Sequence, residues 1–515
     1  MSEPGLHFEF EPISALPRMS WCARLGQSGT VVVRHGDWVE TRPKGFVEGA
    51  WDGEFDAFEF DRAQTLAGSG AVMRDGACIF AAPFHPLERL YVLRRPQATL
   101  VSNSLVFVLQ EAGDGLDLSH KDYFFDLLRM ARRGIGHQPS RLRTARGQHV
   151  ELYTACRLAI DCELNLQCNP MPLGPPPTNY EEYFEHIYNA SRRIVENAAD
   201  PARTTTYAPA AACSKGYDST ASAALASLVG CKEGLTFARS GRAKGHPVLG
   251  MTKELSNDSG AESLRALGMN VTERERLTAL QTPGHPRAEF YFSLIAQTDA
   301  SIQAMEDKLR GTVLFSGRHG ERYWGPTSRC SRRNFREVDD CNLSGHASPE
   351  FRMRTGFIHL PAPYIAALHG PAIFRITHSE QMRPWKLGVG YYDRPIARRI
   401  AEEAGVPREN FGHVKFGGGD NTPLLSQESD SDLRDFIQSE VPERVRQSLD
   451  FRPLRERSES HFRVKYLRTH HSHWPLGDQV LSALQTDRLH RLWNSAYLYF
   501  FHWGFQKTRA RYVVS

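Results

Sequence analysis

Residues 206–230 read TYAPAAACSKGYDSTASAALASLVG, and the polar knot at their centre decides how the rest of the chain is read. The small, apolar residues up to Cys213 suit a buried strand, and the Ala-rich run after Ser219 suits a helix. Ligands of open α/β sheets bind outside the C-terminal ends of strands, where a loop turns into a helix, and SKGYDS occupies such a place. Ser214 and Ser219 offer hydroxyls, and Gly216 permits close backbone approach. The start of the following helix adds free N–H groups and the positive end of its dipole. An aspartate here repels phosphate unless a cation lies between them, so Asp218 reads as a Mg²⁺ ligand. Lys215 stands where such loops prefer glycine. Its β-carbon restricts φ at a cost of about 1 kcal/mol if the glycine conformation is kept. Attraction of its ammonium to phosphate at an effective dielectric of about 20 offsets that cost.

Outward from this stretch the texture divides in two. Before it, GTVVVRHGDWVET, GAVMRDGACIFAAPF, RLYVLRR, ATLVSNSLVFVL and GQHVELYTACRLAIDCELNLQC alternate apolar and polar residues between Gly, Pro and Asp, as strands do. The segment HKDYFFDLLRMARRG interrupts them with a helical pattern. NPMPLGPPPTN, with five prolines between 170 and 177, continues neither strand nor helix and separates the domains. After it, YEEYFEHIYNASRRIVENAA has helical spacing, and AAAC, GLTFA and TVLFS read as buried strands that each lead to a turn and a helix. The fold class expected is therefore α/β, with a β-rich domain at 1–172 and a parallel-sheet domain at 178–515. A last amphipathic helix runs through Leu481, Leu492, Trp493 and Phe500 and is expected to end at Gly504.

Composition narrows the function classes. Hydrophobic content of 41%, charged content of 24% and eight tryptophans fit a globular protein. A net charge of +4 over 515 residues is too small to imply nucleic-acid binding. Residues 451–515 are locally basic, with eleven Lys or Arg against four Asp or Glu, and form a basic, aromatic helical tail. The histidines of HHSH in that tail lack partners at a known metal spacing. Nine cysteines without a CxxC pair fit reduced thiols in a cytoplasmic protein. Cys156, Cys162 and Cys168 recur every six residues, which in a strand puts them on one face as packed thiols. No window has the roughly 20 apolar residues of a membrane span.

Several ordered segments carry a family resemblance. SKGYDS resembles the SGGxDS pyrophosphate loop of the ATP pyrophosphatase superfamily, matching at Ser214, Gly216, Asp218 and Ser219. GTVLFSGRHGERYWG resembles the LSGxGxDExxxGY segment of asparagine synthetases and β-lactam synthetases. Aligned on Ser316 and Gly317, Glu321 falls on a Mg²⁺-binding aspartate, Arg322 on a glutamate and Arg318 on a tyrosine that helps deprotonate the amine. GLTFARS, with Phe237, resembles the strand whose backbone contacts adenine, and SNDSGAESLRALGMNVTE places Asp258 at an acidic position of the family. GHVKFGGGD places Lys415 on the lysine that steadies the charged transition state, and Lys386 is either a second phosphate-facing lysine or a solvated one. In the first half, PLERLYVLRRPQATLVSNSLVFVLQEAG and GQHVELYT resemble the end of a class II glutaminase domain.

The resemblance implies an N-terminal Ntn-like β-rich sandwich domain and a C-terminal adenine nucleotide alpha hydrolase-like (HUP, PP-loop) domain. Glutaminases of this class use an N-terminal cysteine, whereas this chain begins Met-Ser-Glu and has no cysteine before Cys22, so the first domain is expected to be degenerate and to lack the nucleophile. The implied activity is an ATP-dependent, AMP-forming carbon–nitrogen ligase that uses Mg²⁺ and does not hydrolyse glutamine. ATP and metal would meet Ser214, Lys215, Gly216, Asp218, Ser219, Phe237, Gly317 and Glu321; Lys415, Glu321 and His319 would carry the chemistry, with neutral His319 able to take a proton near pH 7. The partners expected are a small-molecule or peptide carboxylate and an amine donor, with a homodimer allowed. Two other readings share the fold: a nucleotide-binding module or pseudoenzyme without chemistry, and a PP-loop enzyme with another acceptor, such as one that thiolates tRNA. The second needs a catalytic cysteine near the loop, a place that Cys213 occupies. The arginine-rich TSRCSRRNFRE reads either as a grip for an acidic substrate or as a solvated loop.

Overall fold

The computed structural model describes residues 6–120, 123, 126, 127, 139–244, 254–276, 288–290, 300–325, 345–388, 392–412, 427–441, 443, 499 and 501–513. The expected segments TSRCSRRNFRE and HHSH lie outside these residues.

Alternating residues in the first 170 positions build two facing sheets. Strands β1 (His7–Pro12), β2 (Trp21–Gly26), β3 (Thr30–His35), β4 (Glu40–Arg42), β5 (Gly45–Trp51), β6 (Leu66–Arg74), β7 (Ala77–Ala81), β8 (Leu90–Arg95) and β9 (Ala98–Ser102) come first. They are followed by β10 (Ser140–Arg143), β11 (His149–Tyr153), β12 (Cys156–Ile160) and β13 (Leu166–Pro170). One sheet runs β1-β3-β2-β9-β8-β11-β10 and the other β13-β12-β7-β6-β5-β4. Trp21 from the first sheet lies against Phe46 and Phe80 of the second, and its indole N–H donates to Ser69 Oγ at 3.1 Å, so apolar rings fill the space between the sheets.

Two sequence expectations need correction here. ATLVSNSLVFVL is strand only to Ser102. Ser104 then caps the helix α1 (Leu105–Glu111) by accepting from the Phe107 amide, a serine N-cap ahead of a run whose apolar residues are all buried. Only two of the three regularly spaced cysteines share a face, because the chain turns between β12 and β13: buried Cys156 and half-buried Cys168 on the neighbouring strand pack with their thiols in contact, whereas Cys162 is exposed in the turn.

The second architecture is a five-stranded parallel sheet. Its strands are β14 (Ala208–Cys213), β15 (Glu233–Phe237), β18 (Asn270–Arg274), β19 (Thr312–Ser316) and β20 (Ile358–Pro361); a small hairpin of β16 (Arg239–Lys244) and β17 (Glu254–Asn257) stands apart. The order is β18-β15-β14-β19-β20, and every neighbouring pair is parallel. GLTFA therefore leads to the hairpin before any helix. Helices α2 (Tyr180–Ala198), α3 (Tyr217–Leu228) and α4 (Ala261–Ala266) follow the expected positions. The alanines of β14 and α3 matter for this packing: Ala210, Ala211, Ala221, Ala223, Ala224 and Ala226 are all buried, and small side chains let helix and sheet approach closely. The chain is thus α/β with one mixed, one antiparallel and one parallel sheet among the described residues. No described helix is long and apolar enough to cross a membrane.

Sandwich and parallel sheet share one apolar cluster, in which Met19, Ala50, Phe84 and Leu87 meet α2, α3 and β19. Charged groups are also buried in that seam. Arg352, on the helix Pro349–Thr355, is 2% exposed and pairs with both Glu48 and Glu88 of the sandwich at 2.9 and 2.7 Å. The terminal helix does not stop at Gly504 but runs on to Arg509, so Phe501, Phe505 and Tyr512 can join the cluster around α1.

Candidate functional site

Chain order in the parallel sheet places a crevice. From β14 the chain moves outward to β15 and β18, then returns to the other side of β14 as β19. The reversal lies between β14 and β19, where loops leave in opposite directions and open a cleft at the C-terminal strand ends. The loop after β14 is SKGYDS, and the loop after β19 is GRHGE. Two stretches about a hundred residues apart in sequence therefore meet at one place.

Internal hydrogen bonds shape the first loop. Ser214 Oγ and Ser219 Oγ lie 2.9 Å apart, the Ser214 amide donates to Ser219 Oγ, and the Gly216 amide donates to Ser214 Oγ. Thr220 Oγ1 donates to the carbonyls of Ser214 and Gly216, which ties the loop to the first turn of α3. The opening N–H groups of a helix have no intrahelical acceptor, so those of α3 face the cleft as anion donors. Lys215 is held by its backbone: its amide donates to the Asp258 carbonyl at 3.1 Å, and its carbonyl accepts from the Gly412 amide at 2.8 Å. Lys215 is not among the positive-φ residues, so the expected strain of replacing a glycine does not arise.

Close contact with the second loop depends on glycine. A β-carbon on Gly317 would lie 2.3 Å from Asp218 C and Ser219 N, and one on Gly320 would lie 2.4 Å from Asp218 Cγ. Only hydrogen fits at these two positions. His319, between them, takes φ 60, a left-handed conformation that histidine adopts more readily than bulky residues. This twist opens the short helix Gly320–Tyr323 that carries Glu321. His319 is buried, with Nδ1 3.6 Å from Glu321 Oε1 and its ring edge-on to Tyr364. Ser316, the last residue of β19, shares a 2.7 Å hydrogen bond with His359 Nε2 on β20.

Asp218 and Glu321 are the candidate metal ligands. Their side chains are 22% and 34% exposed, on loops in direct contact, so solvent or phosphate oxygens can complete a shell around a hard cation. The donor set fits Mg²⁺. Arg394, which the sequence reading did not single out, has Nε 3.7 Å from Asp218 Oδ1 and is 4% exposed. Its only local signal was Pro395 after it, which marks a helix start over Pro395–Glu403. Arg398 of that helix donates to the Tyr217 hydroxyl and lies over its ring, so this helix clamps the start of α3.

The structure therefore brings Ser214, Lys215, Gly216, Asp218, Ser219, Gly317, His319 and Glu321 together. Phe237 ends β15 beside them, with the Arg276 guanidinium 4.3 Å above its ring. Asp258 is buried next to the Lys215 backbone, and burial pushes its carboxyl up while Arg276 and Lys215 hold it down. Lys415 lies outside the described residues; Gly412, the last one before it, is bonded to the loop at Lys215. Lys386 does not face the cleft. Its ammonium donates to the carbonyls of His378 and Ser379 at a helix C-terminus, where a cation complements the dipole. No protein-family model matches the chain, and no curated protein matches it either.

Proposed function

We propose that this chain is an ATP-dependent, AMP-forming carbon–nitrogen ligase that acts in the cytoplasm, with an Ntn-like sandwich lacking its nucleophile and a HUP-type PP-loop domain. The observation that supports it is the contact of Gly317 and Gly320 with Asp218 and Ser219 at the sheet reversal, because a phosphate loop and a second carboxylate loop then share one cleft. In this reading the pyrophosphate of ATP rests on the Ser214–Ser219 hydroxyls and the α3 N-terminus, and the adenine lies against the end of β15 near Phe237. A substrate carboxylate attacks the α-phosphorus, pyrophosphate leaves, and an amine then displaces AMP to form the amide. Mg²⁺ held by Asp218 and Glu321 would supply charge neutralisation at the phosphates. Lys215 and Arg394 add fixed positive charge, Lys415 is assigned the developing oxyanion, and His319, beside Glu321, is assigned the amine proton. Chemistry of this kind depends on positioning and preorganised charge more than on covalent help.

Cys213 argues against the thiolating alternative. It is buried at the end of β14, and burial pushes its thiol up to about 12, far from a reactive thiolate. Cys22 is likewise buried within β2, in no position to act as a terminal nucleophile.

Pyrophosphate release from ATP and Mg²⁺ tests the proposal, measured with a panel of carboxylic acids with and without amines, on the full chain and on Lys415→Ala. Acid-dependent release that Lys415→Ala abolishes is expected. No release with any acid and no measurable ATP binding would sink it, and ATP binding without release would support a nucleotide-binding module.

A further inference from the structure

Behind the cleft, three metal-ligating side chains meet in the seam. His85 and Glu88 lie in the turn PFHPLER between β7 and β8 of the sandwich, three residues apart, and His359 lies on β20 of the parallel sheet. One ligand atom of each falls within 4.8 Å of the others, and all three residues are buried. His85 is 0% exposed, and neither of its ring nitrogens reaches a hydrogen-bond partner. An imidazole buried in that way has lost its water without gaining a partner, which a bound cation would supply. We propose that His85, Glu88 and His359 form a binding site for a transition-metal dication, zinc by ligand preference, that joins the two domains behind the cleft.

The ligand chemistry favours zinc over Mg²⁺, since two imidazoles and a carboxylate are a borderline set and Mg²⁺ prefers oxygen alone. The supporting contacts that metal sites need are present. Ser316 Oγ bonds His359 Nε2, and Arg352 bonds Glu88 Oε2, contacts that hold the two side chains in place. His346 is nearby, but its Nδ1 accepts from Arg89 at 2.7 Å. Tetrahedral zinc bonds of about 2.0–2.1 Å put ligand atoms about 3.3 Å apart, so the three side chains would draw in by up to about 1.5 Å. This proposal does not depend on the nucleotide reading, although Ser316 would connect the metal to the cleft through one hydrogen bond.

The test uses the full chain without an added histidine tag, equilibrated with zinc and dialysed, with metal measured by elemental analysis. About one zinc per chain is expected in the wild type, falling at least about tenfold in His85→Gln and His359→Gln and unchanged in His471→Ala. Cobalt substitution gives a second readout on the wild type alone: visible d–d bands without a sulfur charge-transfer band are expected for nitrogen and oxygen ligands. No retained zinc in the wild type, undiminished zinc in folded His85→Gln and His359→Gln, or a cobalt spectrum dominated by sulfur would each overturn the proposal.

Discussion

The cleft between β14 and β19 and the seam between sandwich and parallel sheet are both rich in charge, yet they hold it differently. In the cleft, Lys215, Asp218 and Glu321 are part-exposed on loops positioned by backbone hydrogen bonds and by glycines that leave no room for a side chain. In the seam, Glu48, Glu88, Glu350 and Arg352 are almost wholly buried, and each reaches a partner on the other side of it. Groups kept near solvent can exchange water for a ligand, whereas groups sealed in the interior serve to fix one arrangement of two domains. The difference teaches that burial, more than charge itself, separates a place that receives a ligand from a place that holds the fold.

Removing the guanidinium at the seam gives the largest expected effect. Arg352→Ala leaves Glu48 and Glu88 without their shared partner in the interior and should destabilise the chain by about 3–5 kcal/mol in denaturant unfolding. A loss below about 1 kcal/mol would break the comparison, because the seam would then tolerate unpaired charge as a surface does. At the cleft, Asp218→Asn should reduce acid-dependent pyrophosphate release by about 100- to 1,000-fold while leaving the unfolding midpoint nearly unchanged. Equal loss of stability and activity would show that Asp218 belongs with the structural charges.

A third measurement sharpens the contrast through pH. Glu350 is buried against the hydroxyls of Ser104 and Tyr512, and burial raises its carboxyl from 4.5 to about 7. The folded chain then holds this proton between about pH 4.5 and 7, where the unfolded chain has released it, so stability falls as pH rises through that window. Glu350→Gln should flatten that decline by about 2–3 kcal/mol between the two ends, read from unfolding at a series of pH values. An unchanged slope would place the titration elsewhere. The smallest effect is expected at Lys386: Lys386→Ala removes a helix C-terminal cation, costs about 0.3–1 kcal/mol, and should leave pyrophosphate release unaltered. A large loss of release would return Lys386 to the phosphate site.

Much of the cleft was legible because its parts are local. The serines, Gly216 and Asp218 sit where a small apolar strand turns into an Ala-rich helix, and that grammar is written in consecutive residues. Gly317 was legible as a motif residue and Gly320 was not, and the reason for both lay elsewhere, since the atoms that exclude a β-carbon belong to Asp218 and Ser219. Arg394 was missed, because Pro395 marks a helix start but nothing near it in sequence indicates that its guanidinium reaches Asp218. The three cysteines show a partial failure: Cys156 and Cys168 pack on one face, but a turn that the spacing does not encode leaves Cys162 exposed between their strands.

By itself the sequence determined most strands and helices, α1 and the hairpin after β15 excepted, and that polar loops end the buried strands, because backbone preference and side-chain periodicity act over a few residues. Only the tertiary structure decided that the chain reverses between β14 and β19, that Arg352 lies between two carboxylates, and that His85 and Glu88 meet His359. Such meetings depend on how sheets order and pack, and burial then sets which charges are held, which are shifted and which stay open to a ligand.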